Sequence, residues 1–110
     1  MKARFRWDEW NRAHIAKHGV SETEAQYIVQ HARPPYPELL ADEKSLIWGQ
    51  TEAGRYLQVI YLIDRDENLD YESMTLEDIL LMADDDAPPF YVIHARDLSS
   101  REKKLYRRTK

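Results

Sequence analysis

Apolar residues recur along this chain with two periods, and the switches between them mark its elements. Ala3, Phe5 and Trp7 alternate with Arg4 and Arg6, which predicts a first strand with one apolar face. Asp8 is placed to cap a helix over residues 9–18, and Gly19 suits the left-handed residue that ends it. Ser21-Glu22-Thr23-Glu24 predicts a capping box, with Val20 and Ala25 placed for a hydrophobic staple. The second helix should reach about His31, with Ala25, Ile28 and Val29 as its core stripe. Pro34, Pro35 and Pro37 then impose an extended connection.

Residues 45–50 and 56–63 read as two strands, with Thr51-Glu52-Ala53-Gly54 as hairpin-turn material between them. Residues 64–73 read as polar loop, and 75–83 as a short amphipathic helix. Residues 90–96 are a strong strand pattern. Ser99-Ser100-Arg101-Glu102 is a second capping box, opening a basic C-terminal helix. Sequential strands pair most readily through hairpins. The expected fold class is therefore α+β: a small antiparallel sheet of about four strands. Two N-terminal helices and a C-terminal helix should pack on one face of it. No repeat or linker divides the chain, so residues 1–110 should form one domain, with 64–88 as an acidic insertion.

Composition narrows the class. With 43% hydrophobic and 33% charged residues, the 110-residue chain can bury one modest core. There is no cysteine, which excludes disulfides and thiolate metal sites and fits a reducing compartment. Residues 1–10 carry no apolar signal core, and the apolar-rich run 56–63 is too short to cross a bilayer. A soluble cytoplasmic protein is the expectation.

The net charge of −4 argues at first against nucleic acid, but its distribution changes the picture. Residues 64–88 hold ten carboxylates against Arg65 alone, a balance of −9 that leaves +5 on the rest of the chain. Residues 90–110 carry seven basic side chains against two acidic ones. Such asymmetry suits two surfaces with different partners, or two solvated faces.

Candidate chemistry concentrates in the last strand. Simple alternation puts Tyr91, Ile93 and Ala95 under the helices and Phe90, Val92, His94 and Arg96 on the opposite face. An imidazole two residues from a permanent cation is a usable pair for phosphodiester chemistry: His moves a proton, and Arg neutralises charge on phosphate. The same two residues also suit a hydrogen-bonded sheet histidine and a surface cation. His14 and His18 have the one-turn spacing of two metal ligands, but no third ligand stands at a recognisable spacing. Neither metal nor cofactor is therefore expected. His18 also suits a helix C-terminus, and Lys17 either that role or a phosphate contact. Arg55 follows the hairpin glycine, as a turn cation or a group reaching the sheet's open face. Arg101, Lys103, Lys104, Arg107, Arg108 and Lys110, with Tyr106 among them, offer charge to phosphates without sequence readout. No Gly-rich phosphate loop, nucleophile elbow or paired carboxylates are present.

Three blocks of the chain resemble one pattern in order. Phe5-Arg6-Trp7-Asp8-Glu9 with Asn11, His14-Ile15, Lys17-His18-Gly19-Val20-Ser21 and Glu24-Ala25 resemble the N-terminal signature of BrnT-type ribonuclease toxins. Gly49-Gln50-Thr51 and Gly54-Arg55 resemble the family's central hairpin. Val92-Ile93, Ala95-Arg96-Asp97, Arg101-Glu102-Lys103 and Tyr106 resemble its C-terminal signature. The resemblance implies a RelE-like fold and a metal-independent RNA endonuclease, the toxin of a type II toxin–antitoxin pair. In such enzymes the ribose 2′-hydroxyl attacks the adjacent phosphate and leaves a cyclic phosphate. It implies a small ribbon-helix-helix antitoxin (BrnA-like) as partner, and operator DNA bound only through that complex. Carried over by position, Arg55 and Arg96 are expected on the scissile phosphate; as proton carrier His94, at a position outside the matching residues, is preferred to His18. Lys17, His18 and Arg101 are expected to hold RNA, and Tyr106 to have a minor or structural role. Two features depart from the pattern. Position 94 more often holds a small hydroxyl residue, and the acidic stretch 64–88 looks inserted. The alternative is a non-catalytic protein-binding module on the same fold, acting in an antitoxin or repressor complex.

Overall fold

The computed structural model describes residues 4–63 and 89–108. Along the chain run α1 (Glu9–Ala16), α2 (Glu22–Gln30), β1 (Glu38–Leu39), a short 3-10 turn (Ala41–Glu43), β2 (Ser45–Gln50), β3 (Tyr56–Ile63), β4 (Phe90–Asp97) and α3 (Ser100–Arg108). Each helix begins where a capping side chain satisfies its first N–H groups. Asp8 and Asn11 exchange bonds across the start of α1. Ser21 and Glu24 do so at α2, and Ser99 and Glu102 at α3. Each such cap stabilises its helix by about 1 kcal/mol. After α1, Gly19 adopts φ +68°. Its N–H bonds Ala16 O and the Val20 N–H bonds Ile15 O, the two bonds of a Schellman motif. Ile15 and Val20 then bury together, 1% and 3% exposed.

The sheet is antiparallel in the order β1-β2-β3-β4. The β2–β3 hairpin turns over Thr51–Arg55, where Thr51 N–H bonds Arg55 O at 2.8 Å and Gly54 takes φ +97°. Ile15, Val20, Ala25, Ile28 and Val29 from the helical half meet Ile47, Leu57, Val59, Tyr61, Phe90, Val92 and Ala95 from the sheet. The approach of α2 to β2 is close: a Cβ on Gly49 would stand 3.0 Å from Ile28 Cδ1, so any larger residue there must push α2 outward.

Four expectations change. The N-terminal alternation does not become a strand. Phe5 makes one parallel bridge to Phe90, and Phe5 and Trp7 pack half-buried against the core. The remaining strand is instead Glu38–Leu39, which pairs with Leu46 and Ser45 and is exposed on both residues. Backbone pairing next to an extended proline-rich connection, not an apolar pattern, holds it there.

Simple alternation also fails in β4. His94 pairs with Ile60 and Val92 with Tyr61, so Ile93 is an extra residue in a β-bulge. One extra residue reverses which side chains face the core. Phe90 and Val92 before it, and Ala95 after it, are therefore all buried. His94 and Arg96 do share the face away from the core, but Phe90 and Val92 do not share it with them. Finally, the helices do not all lie on one face. α3 meets the side chains of the opposite face: Tyr106 packs against Tyr36 and Tyr56 at 6.2 and 6.0 Å, and Glu102 pairs with Arg96. The loop and helix expected within 64–88 lie outside the described residues.

Candidate active site

α1 packs along the edge strand β4, and that contact brings His94 to the sequence-neighbouring pair His14 and His18. His18 lies 5.4 Å from His94, His14 lies 6.0 Å from His94, and His14 and His18 are 6.4 Å apart, ring centre to ring centre. The one-turn spacing of His14 and His18 carries both toward β4. The bulge at Ile93 puts His94 off the core face, so that it meets them rather than the apolar cluster. Among the described residues, no side-chain hydrogen bond or ion pair engages any of the three rings. Burial pushes the His94 pKa below the usual histidine value, and the charges of His18, Arg96 and His14 push the same way. At neutral pH His94 is therefore the uncharged imidazole, the form that accepts a proton. Among the described residues, no group of three or more His, Cys, Asp or Glu is arranged to hold a metal ion.

The two arginines expected on phosphate are differently placed. Arg55 spends its whole fork on protein acceptors. Nε and Nη2 donate to the two carboxylate oxygens of Asp97 at 2.8 and 2.9 Å. Nη1 donates to Gly19 O at 2.7 Å and to Glu24, and Nη2 also to His18 O at 3.2 Å. One side chain thus ties the hairpin to the α1–α2 turn, the α2 cap and the end of β4. Its pKa rises above the ordinary arginine value, first through Asp97 and then Glu24, and both carboxylates are held below theirs. Arg96 forks onto Glu102 at 2.7 and 2.9 Å and also donates to Asp97 O and Gln58 Oε1. Glu102 is drawn down to about 2 by Arg96 and by the Ser99 N–H, so the pair stays charged at neutral pH.

The remaining predicted residues divide. Lys17 and His18 are exposed at the end of α1, and Arg101 is exposed in the first turn of α3. Tyr106 is 8% exposed and packed among tyrosines, which makes its role structural. Four residues have roles that sequence reasoning did not assign. Trp10 stacks on His14 at 4.9 Å with planes 8° apart. Tyr91 lies parallel to Trp10 at 6.4 Å and donates its hydroxyl to Asp8. Glu102 and Asp97 hold the arginines. A helical projection would have found Trp10 and His14, because both lie off the stripe set by the buried Asn11 and Ile15. A separate cleft of about 370 Å³, lined by Tyr27, His31, Gln50, Glu52 and Tyr106 among others, contains none of the histidine cluster.

Comparison with protein-family models, with curated proteins and with solved structures finds no match.

Proposed function

We propose that the chain is a metal-independent RNA endonuclease acting through the His14–His18–His94 cluster, and the toxin of a toxin–antitoxin pair. The observation that carries this reading is the convergence of three imidazoles, from α1, the turn after it and β4, beside a permanent cation, with no hydrogen-bond partner for them among the described residues. His18 and His94 stand 5.4 Å apart, ring centre to ring centre, close enough for both to act on one phosphodiester laid against them. His94, held neutral, removes the proton of the ribose 2′-hydroxyl. The freed oxygen forms a bond to phosphorus as the phosphorus–O5′ bond breaks. His18 supplies a proton to O5′ as the general acid. The products are a 2′,3′-cyclic phosphate and a 5′-hydroxyl end. Such proton transfer is worth about 10²–10⁴-fold in rate.

The rest of the site follows from placement. Lys17 and Arg101 are exposed and can meet RNA phosphates by charge. Arg96 supplies positive potential next to His94 while its fork is tied to Glu102. Arg55 is assigned to the frame rather than to the scissile phosphate, because its five N–H groups already have protein acceptors. A BrnT-type identity and a RelE-like fold are supported by the motif blocks and by the antiparallel sheet with two helices on one face. A small ribbon-helix-helix antitoxin, operator binding through it, and a cytoplasmic location come from that resemblance. Among the described residues no helix is long and apolar enough to cross a membrane.

The test is incubation of a defined single-stranded RNA with purified protein in EDTA, beside His94→Ala. Cleavage leaving cyclic phosphate ends, lost in the variant, is the expected result. Absence of cleavage by the wild type, with or without its acidic segment, overturns it. A second reading, a non-catalytic binding module, is favoured by one observation: Arg55 and Arg96, the two arginines expected on the scissile phosphate, are neutralised by carboxylates. Harmless induced expression together with an inert protein in the cleavage assay selects that reading.

A further inference from the structure

Of the three tryptophans, two have structural employment. Trp7 packs against the core, and Trp48 donates its indole N–H to Gln58 Oε1 at 2.9 Å. Trp10 does neither. It stays 55% exposed on α1, between the charged residues Glu9 and Arg12, with one face on His14. Among the described residues the other large exposed apolar side chains, Leu39 and Leu105, belong to different elements, β1 and α3. An indole alone in polar surroundings does not make an apolar protein-docking patch. Its setting is nevertheless fixed. Tyr91 lies parallel to it and is anchored by Asp8, and the Arg6 guanidinium covers the Tyr91 ring at 4.1 Å. The next ring inward from Trp10 is His14, and His14 touches the cluster at His94. A held, flat, exposed ring one step from the proton-transfer groups is how proteins seat an unpaired base.

Resting on the ribonuclease reading, we propose that Trp10 is the base-stacking platform of this site: it holds the base next to the scissile phosphate. The substrate is then single-stranded RNA, with little preference for base identity at that position, because every base offers a π-face. A duplex keeps its bases stacked on one another and cannot lay one on Trp10.

The test measures binding of a fully 2′-O-methylated single-stranded oligonucleotide, which lacks the attacking hydroxyl, to wild type, Trp10→Phe and Trp10→Ala. Cleavage of the unmodified RNA is measured in parallel. Trp10→Ala should weaken binding by about tenfold or more, Trp10→Phe should retain most of it, and both melting temperatures should stay near wild type. The matched duplex should bind more weakly, with no dependence on Trp10. Equal binding by Trp10→Ala and wild type overturns the platform, while continued cleavage leaves the ribonuclease reading standing. Binding lost in Trp10→Ala without cleavage by the wild type keeps the platform and removes the nuclease. A wild type that binds no single strand overturns both. Loss of self-association in Trp10→Ala with unchanged oligonucleotide binding assigns the indole to a contact between copies, and also overturns the platform.

Discussion

The arginine clips and the histidine cluster lie at the same end of β4 and are built on opposite principles. Around Arg55, every N–H finds an acceptor, and the two carboxylates it meets are pulled below their ordinary pKa. Around His94, the rings of His14 and His18 are gathered with no hydrogen-bond partner among the described residues, and burial, with the nearby His18, Arg96 and His14, holds the His94 pKa below its ordinary value. A completed polar network lowers the energy of one conformation and needs nothing from outside. A set of unmatched titratable groups leaves bonding capacity for something the chain does not itself contain. The difference separates frame from site more sharply than residue type does, since arginine is the commoner phosphate ligand.

The sharpest way to break this comparison is at the cluster. His94→Ala should reduce RNA cleavage by about 10²–10⁴-fold while the melting temperature moves little, because among the described residues the ring makes no hydrogen bond. Calorimetry beside the cleavage assay separates the two effects. A large fall in melting temperature would place His94 in the frame instead.

Arg55→Ala should do the reverse. It leaves Glu24 and Asp97 without their cation and frees two carbonyls, at a cost of about 2 kcal/mol after discounting for solvent at Asp97. In a domain of this size that lowers the melting temperature by roughly 10 °C. Cleavage per folded molecule should survive below that temperature. Complete loss of cleavage with an unshifted melting curve would return Arg55 to the phosphate.

Glu102→Gln sharpens the comparison by turning a clip into a free cation. It removes the anion that occupies the Arg96 fork but keeps the cap hydrogen bond to Ser99 within reach. The expected stability loss is about 1 kcal/mol, with tighter RNA binding that weakens steeply with salt. Glu102 titrates near 2 when folded, against about 4.5 for the ordinary side chain. The pair's contribution is therefore complete above the ordinary value and disappears as pH falls toward 2. Urea denaturation of wild type and variant between pH 6 and pH 3 should converge.

The smallest effect is the pH response of the cluster. Because folding lowers the His94 pKa below about 6.5, the unfolded chain binds more protons in the window beneath that value. Stability should then rise with pH through the window, and fall as pH drops from about 6.5 toward the folded pKa. His94→Gln should lose that part of the slope, as measured by denaturation at pH 7.5 and pH 5.5.

What could be read beforehand differs by element. Asp8, Ser21 and Ser99 announced all three helix starts, because a cap is a contact between residues three apart. The hairpin at Thr51–Gly54 was equally local. The N-terminal alternation misled because Phe5 and Trp7 are apolar for packing against the core, which a strand is not needed to achieve. Among site residues, His94 and Arg96 were found on one face, and His14 and His18 were seen as a pair. Their union was not visible, since the third imidazole belongs to a strand far along the chain. Glu24 and Asp97 as the partners of Arg55 were hidden for the same reason.

The sequence by itself determined the helix starts, the central hairpin, the apolar stripe of α2 and the uneven charge. All of these depend on neighbours within a few residues, where spacing and side-chain chemistry act directly. Only the tertiary structure decided the bulge at Ile93, the face each β4 side chain takes, the engagement of Arg55 and Arg96, and the meeting of His94 with α1. Register is a property of two paired strands, and a single extra residue in one of them reverses its faces. Which arginine is spent and which histidine stays free follows from that register, and from the packing it permits.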